Sequence, residues 1–173
     1  GHRPRPCGRL VAGVVAADAL RFVAMVLGPG EVIVADDYHT AGEPFRIVDL
    51  GGMQGDSVLD RRSWAMANLD DHRRFLCHEP RGHADMYGGM VVPPDGPGGD
   101  VGIVFFPKDG FSTACGHGTI AIATWAIDTG RITAPENGEV DVVVDAPSGR
   151  LHTVARMVDG RVASVRFTNV PSF

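Results

Sequence analysis

Apolar residues fall into short period-2 runs over most of the chain and into one long apolar block around residues 120–127. Val32-Ile33-Val34 and Phe45-Arg46-Ile47-Val48 predict short strands around a turn at Thr40-Ala41-Gly42. Met86–Val92 and Val101–Phe106 predict two more, joined by the Pro/Gly-rich loop 93–99. In the tail, Val140–Val144, Leu151–Val158 and Val162–Phe167 alternate cleanly, and Asp159-Gly160 between the last two is a strong hairpin signal. Two stretches depart from this period. Ser57–Cys77 predicts a helix with Ser57 as N-cap, Asp60 three residues on, and Leu59, Trp64, Ala67, Phe75 and Leu76 as its apolar face. Its Arg and Asp residues predict solvated ion pairs, and it should end near Pro80. The second helix starts at Cys115–Gly118, runs through Ile120, Ala121, Ile122, Trp125 and Ala126, and stops at Gly130, a natural C′ residue. It is apolar enough to be buried. The expected fold class is therefore α/β (α+β), with strands wrapped around a central helix.

Residues 1–30 read differently. Gly1-His2 without a leading Met suggests a processed end or a cloning remnant, and Arg3, Arg5 and Arg9 precede the apolar run Leu10–Leu27. That run has the outline of a signal peptide, but Asp18 and Arg21 interrupt it and it is short for a bilayer span. The expectation is a helix of about four turns, broken at Gly28-Pro29-Gly30 and lying outside the main fold.

Composition narrows the chemistry. The chain has 173 residues and a formal charge of −5, which suits one core and disfavours a nucleic-acid partner. Lys108 is the only Lys, and it lies in the turn-like Pro107-Lys108-Asp109-Gly110, so Schiff-base chemistry has almost no residue to use. No GxxxxGK[ST] phosphate loop is present. Cys7, Cys77 and Cys115 are odd in number and lack CxxC spacing, so reduced thiols and a cytoplasmic setting are expected.

Three segments carry polar chemistry. Gly110-Phe-Ser-Thr-Ala-Cys115-Gly-His-Gly118 puts a thiol at the start of the buried helix, where free N–H groups and the helix dipole favour negative charge and ease thiolate formation. Gly116 and Gly118 allow close backbone approach, the same N–H groups suit a carboxylate, and His117 is a titratable neighbour. Such a site could bind a carboxylate and hold a base against its α-carbon; equally, Cys115 could be a buried cap with glycines serving packing. Cys77-His78-Glu79-Pro80-Arg81-Gly82-His83, with His72 nearby, invites a metal reading, but Pro80 breaks the helical spacing that zinc sites use. Surface histidines and a core Cys77 are the expectation, with no metal. Asp36-Asp37-Tyr38-His39-Thr40-Ala41-Gly42-Glu43-Pro44 packs polar residues at a strand end, either as binding groups or as a plain turn.

Together these segments resemble the N-terminal half of the proline racemase family, which includes proline racemases, hydroxyproline 2-epimerases and trans-3-hydroxy-L-proline dehydratases. The resemblance rests on Asp37–Pro44, on Glu79-Pro80-Arg81-Gly82-His83 with Met86 and Gly88, on Gly110–Gly118, and on the closing Asn169-Val170-Pro171-Ser172-Phe173. It covers about residues 31–173 in family order, leaving residues 1–30 as an extension outside the match. It implies one lobe of a diaminopimelate-epimerase-like fold, with substrate in a cleft between two similar lobes and the second lobe beyond this chain. It also implies catalysis without cofactor or metal. By the same carry-over Cys115 is the catalytic thiol, and the N–H groups of Cys115, Gly116 and His117, next to Gly118, hold the substrate carboxylate. The His117 side chain would meet the ring nitrogen, while His39, Thr40, Glu43, Arg81, Gly82 and His83 would shape the cleft wall and its loops. The substrate would be proline or a hydroxyproline. Gly110-Phe-Ser-Thr resembles the dehydratase group, in which one thiol removes the α-proton and a Thr of the other half replaces the second base. A lone lobe would instead bind weakly or self-associate, and two copies paired about a two-fold axis would face their Cys115 residues across a shared cleft.

Overall fold

The structure, a computed structural model, describes residues 10–12, 20–28 and 31–168. The closing motif at residues 169–173 and the basic stretch before Leu10 lie outside the described residues. The strands are β1 (Leu10–Ala12), β2 (Leu20–Gly28), β3 (Glu31–Thr40), β4 (Glu43–Val48), β5 (Tyr87–Val92), β6 (Val101–Pro107), β7 (Gly138–Ala146), β8 (Gly149–Val158) and β9 (Arg161–Phe167). The helices are α1 (Val58–Asn68) and α2 (Asp70–Cys77), between β4 and β5, and α3 (Gly116–Asp128), between β6 and β7. Among the described residues the strands form one nine-stranded sheet in the order β1-β9-β8-β7-β6-β5-β4-β3-β2. Only β4–β5 and β6–β7 pair in parallel, and each of these joins is spanned by helix.

The sheet curls around α3, which touches every strand from β3 to β9. Gly118 through Ala126 of α3 are all buried, as the apolar block requires. Alternate strand residues serve two cores. Phe45 and Ile47 of β4, and Ile103 and Phe105 of β6, face α3. Val48, Val104 and Phe106 face the opposite side, packing with Val58, Ala65, Leu69 and Leu76 of the α1–α2 layer. Central strands covered on both faces read as continuous apolar runs, as β6 does. The expected hairpin is present: Asp159 and Gly160 both take positive φ, 49° and 73°, which a two-residue turn of the primed type demands.

Two polar bonds pin α3 to β3. Trp125 Nε1 donates to Asp36 Oδ2 at 2.7 Å, and Tyr38 Oη to Asp128 Oδ2 at 3.2 Å. Asp37, pointing to the other face, takes both forks of Arg46 at 2.7 Å. Arg46 is 5% exposed and also donates to the carbonyls of Leu76 and Arg81, each at 2.8 Å. The acidic residues at the end of β3 are thus largely structural.

Three expectations are corrected. The described parts of the apolar run Leu10–Leu27 are strands of the sheet and not a helix outside it, β1 pairing with β9 and β2 with β3. Valines favour strand, and in β2 Met25 is buried while Ala24 and Val26 are exposed, a period of two. The helix over Ser57–Cys77 is two helices divided at Leu69, whose φ and ψ of −122° and 18° leave the helical region. Ser57 caps α1 in a capping box with Asp60; of the expected apolar face Leu76 is buried and Trp64 and Phe75 pack against the same core, whereas Leu59 and Ala67 point outward and Val58, Ala65 and Leu69 are buried instead. The arginines of these helices are not merely solvated. Arg62 donates to the Phe111 carbonyl, and Arg73, 4% exposed, donates to that of Lys108 and to Asp70. They tie down the loop that leads to Cys115.

Arg46 is the cross-brace between β4, α2 and the Arg81 turn. Replacing it with Ala leaves Asp37 and two carbonyls without their cation, and an uncompensated buried pair costs about 3 kcal/mol. Urea unfolding of Arg46→Ala should show an unfolding free energy lowered by about that amount, read from a lower midpoint at an unchanged slope; an unchanged midpoint would show the brace to be dispensable.

Candidate active site

Cys115 is the N-cap of α3, with φ and ψ of −154° and 114°, and its Sγ accepts from the Gly118 N–H at 3.3 Å. A thiol thus occupies the place a Ser or Asp oxygen usually takes at a helix start. Its carbonyl is held by the Thr119 hydroxyl at 2.8 Å, which fixes the first turn. Gly118 must lack a side chain, because a Cβ there would collide with the Phe45 ring and crowd Sγ. At Gly116 a Cβ would meet only Phe167 Cζ at 3.9 Å, so that backbone faces open space. The N–H groups of this turn have no partner within the helix and sit at the positive end of its dipole.

His117 lies over the thiol, with Nδ1 3.5 Å and Nε2 3.8 Å from Sγ. Its ring packs edge-on against Phe45 at 5.7 Å and Tyr87 at 5.1 Å. Burial lowers its pKa from the ordinary histidine value, with Glu43 and the Pro44 carbonyl acting in the opposite sense, so the imidazole is neutral at pH 7. Thr40 donates from Oγ1 to the His117 carbonyl at 3.1 Å and is 7% exposed, which locks the turn to β3. Tyr87 Oη is 2.7 Å from Ser112 Oγ, in the loop just before Cys115.

The helix start does not by itself make the thiol acidic. Cys115 is 9% exposed, and burial pushes its pKa up to about 12 despite bonds from Gly118 N–H and Tyr87. Desolvation of the charged form outweighs two donors, contrary to the eased ionisation that the sequence position alone suggests. Cys77, fully buried in the α1–α2 core, is pushed up to about 11.

The site residues expected from the sequence therefore divide. Cys115, Gly116, His117, Gly118 and Thr40 converge in direct contact, and Glu43 acts on the thiol and the imidazole electrostatically. His39 is exposed in the β3–β4 turn, where its Nδ1 accepts from the Gly42 N–H at 3.3 Å. Arg81, Gly82 and His83 form a turn after α2: Arg81 stacks on Phe75 and donates to its carbonyl, and Gly82 N–H donates to the His78 carbonyl. His83 Nδ1 accepts from the Asp85 N–H. Tyr87 is the residue that motif reading passed over; its signal is an aromatic with a polar tip opening an otherwise apolar strand. Among the described residues, no group of three or more His, Cys, Asp or Glu side chains converges on a metal-sized site. No helix among them is long and apolar enough to cross a membrane. A cavity of about 320 Å³ lies at the other end of β5 and α3, lined by Asp49, Met53, Val92, Pro94, Asp100 and Arg131, with no thiol or imidazole in its lining.

Residues 34–173 match the family model described as Proline racemase. The chain belongs to the proline racemase family. It is 44% identical over 141 residues to a trans-3-hydroxy-L-proline dehydratase of Burkholderia cenocepacia, covering 79% of this chain and 41% of that protein. It is 43% identical over 141 residues to a 3-hydroxyproline 2-epimerase of Burkholderia multivorans, with the same coverage of 79% and 41%. Among solved structures, a hydroxyproline epimerase of Agrobacterium vitis with bound trans-4-hydroxy-L-proline superposes with a TM-score of 0.75 at 27% identity, covering 82% of this chain and 42% of that one. The chain thus spans about two fifths of the length of these relatives, and its fold is one lobe of theirs.

Alkylation tests the thiol environment. With a pKa near 12, Cys115 should react with iodoacetamide about tenfold faster per pH unit from 7 to 10, without a plateau. Peptide mass mapping should find Cys115 labelled before Cys77, which is 0% exposed. A plateau by pH 8, or Cys77 labelled first, would contradict the geometry.

Proposed function

We propose that this chain carries one half of the active site of a cofactor-independent enzyme acting on a cyclic imino acid, most closely a trans-3-hydroxy-L-proline dehydratase. The observation that carries the reading is Cys115 Sγ at the start of a buried helix, 3.3 Å from the Gly118 N–H and 3.5 Å from His117 Nδ1. The dehydratase names of relatives near 44% identity support the choice of reaction.

The substrate carboxylate sits on the N–H groups of the first turn of α3. These groups also stabilise charge that moves onto the carboxylate as the α-proton leaves. That placement sets the α-carbon against Cys115 Sγ. The ring ammonium enters beside His117 and Glu43, and a positive charge next to the thiol lowers the pKa that burial has raised. The thiol is thus weakly ionised on its own and becomes a base when the zwitterion arrives. His39 and the Arg81-Gly82-His83 turn border the site as loops, and a second lobe supplies the opposite wall and the second acid or base.

The 43% identity to a 3-hydroxyproline 2-epimerase favours one second reading, in which a second thiol reprotonates the opposite face and the hydroxyl stays. Proton NMR in D₂O separates the two. The gene product that carries this chain, and its Cys115→Ala variant, are given L-proline, trans-4-hydroxy-L-proline and trans-3-hydroxy-L-proline. Loss of the α-proton with ring unsaturation from the last substrate is expected, and the variant should lose at least about 1,000-fold while keeping its melting temperature. Exchange with retained hydroxyl would favour the epimerase. Full activity in Cys115→Ala would overturn both.

A further inference from the structure

Tyr87 opens β5, and Ser112 bridges to Phe105 in the loop that delivers Cys115. Their hydroxyl oxygens are 2.7 Å apart. The Tyr87 ring is held between Phe45, stacked at 6.2 Å, and His117, edge-on at 5.1 Å, so the phenol has a fixed direction. Two hydroxyls bonded to each other use one of their two protons. The second proton is available to a third group, and the Cys115 thiol, whose ionisation Tyr87 favours, is close enough to feel it. Burial raises the phenol's pKa above its ordinary value, so it keeps its proton at neutral pH.

The stereochemistry of the substrate gives this pair a task. In trans-3-hydroxy-L-proline the hydroxyl is opposite the carboxylate and therefore on the same ring face as the α-hydrogen. A base that removes that hydrogen approaches the face from which the hydroxyl must leave. The leaving oxygen thus departs on the Cys115 side, beside Tyr87 and Ser112.

We infer that the Tyr87–Ser112 hydroxyl pair is the general acid that protonates the departing 3-hydroxyl, an inference that rests on the dehydratase reading above. The Cα–H bond breaks as S–H forms on Cys115. The released electron pair becomes the C2=C3 bond as C3–O breaks. The oxygen takes one proton from the pair and leaves as water, and the Cys115 thiol then returns a proton to the pair, restoring both groups. The enamine product tautomerises to a pyrroline carboxylate, and no oxidant or reductant is consumed.

Replacing the leaving group tests this. The gene product and its Tyr87→Phe and Ser112→Ala variants are assayed on trans-3-hydroxy-L-proline and on trans-3-fluoro-L-proline, from which fluoride departs without needing a proton. Tyr87→Phe keeps the ring contacts but also removes its support for the thiolate, which both eliminations need, so fluoride release should fall by no more than about tenfold while loss with the hydroxyl substrate should be larger by a further factor of about 100. Ser112→Ala should fall in the same direction. A parallel loss on both substrates would make Tyr87 a support for the thiol or the packing and would overturn the inference, as would unchanged dehydration. If the unsubstituted protein eliminates neither group, the dehydratase reading itself fails and takes this inference with it.

Discussion

Everything in this lobe follows from burying α3. Its residues from Gly118 to Ala126 are apolar or small on every side, so no single face can be turned to water. Seven strands curl around it, and the other side of the sheet then needs a cover of its own, which α1 and α2 provide. A helix so enclosed can offer polar groups only at its ends. At the C-terminal end those needs are met within the lobe, by Asp36 on Trp125 and Tyr38 on Asp128. At the N-terminal end they are left to Cys115, its two glycines and whatever anion approaches.

The thiol there is governed by competing terms. Helix start, Gly118 N–H and Tyr87 favour the thiolate; burial opposes it and prevails, at about 12. An enzyme whose base must take a weakly acidic α-proton gains from a basic thiol, provided ionisation is coupled to substrate arrival. In the proposed reaction the neutral His117 and the nearby Glu43 would suit that coupling, since an incoming ring ammonium would meet acceptors rather than a second cation. The same crowding fixes the Tyr87 phenol beside the sulfur, so one packing solution orients base, imidazole and hydroxyl pair together.

Much of this was legible in the chain, for physical reasons that differ by element. α3 and its cap were readable because an apolar block flanked by Cys-Gly-His-Gly and Gly130 has few alternatives, and the Asp159-Gly160 hairpin because its turn requires positive φ. The run Leu10–Leu27 misled because apolar density is shared by helices and strands; the pairing of β2 with β3, a tertiary fact, decides it. The segment holding Asp36 and Asp37 could be read as binding groups or as a plain turn; alternation sends the two to opposite faces, one to Trp125 and the other to Arg46. Arg81, Gly82 and His83 were grouped with the cleft by the family motif; within this lobe their contacts run to Phe75, His78 and Asp85. The Tyr87–Ser112 contact was invisible because the two residues are 25 positions apart and meet only when the loop folds back on Phe105.

The proposed function requires the first turn of α3 to receive a carboxylate beside Cys115. Amide proton–nitrogen spectra of the chain, titrated with L-proline and in parallel with pyrrolidine, test it without requiring turnover. The account predicts that L-proline shifts the amides of Gly116, His117 and Gly118 while pyrrolidine, which lacks the carboxylate, leaves them in place. Equal shifts with both compounds, or L-proline shifts confined to the cavity beside Asp49 and Arg131, would contradict it.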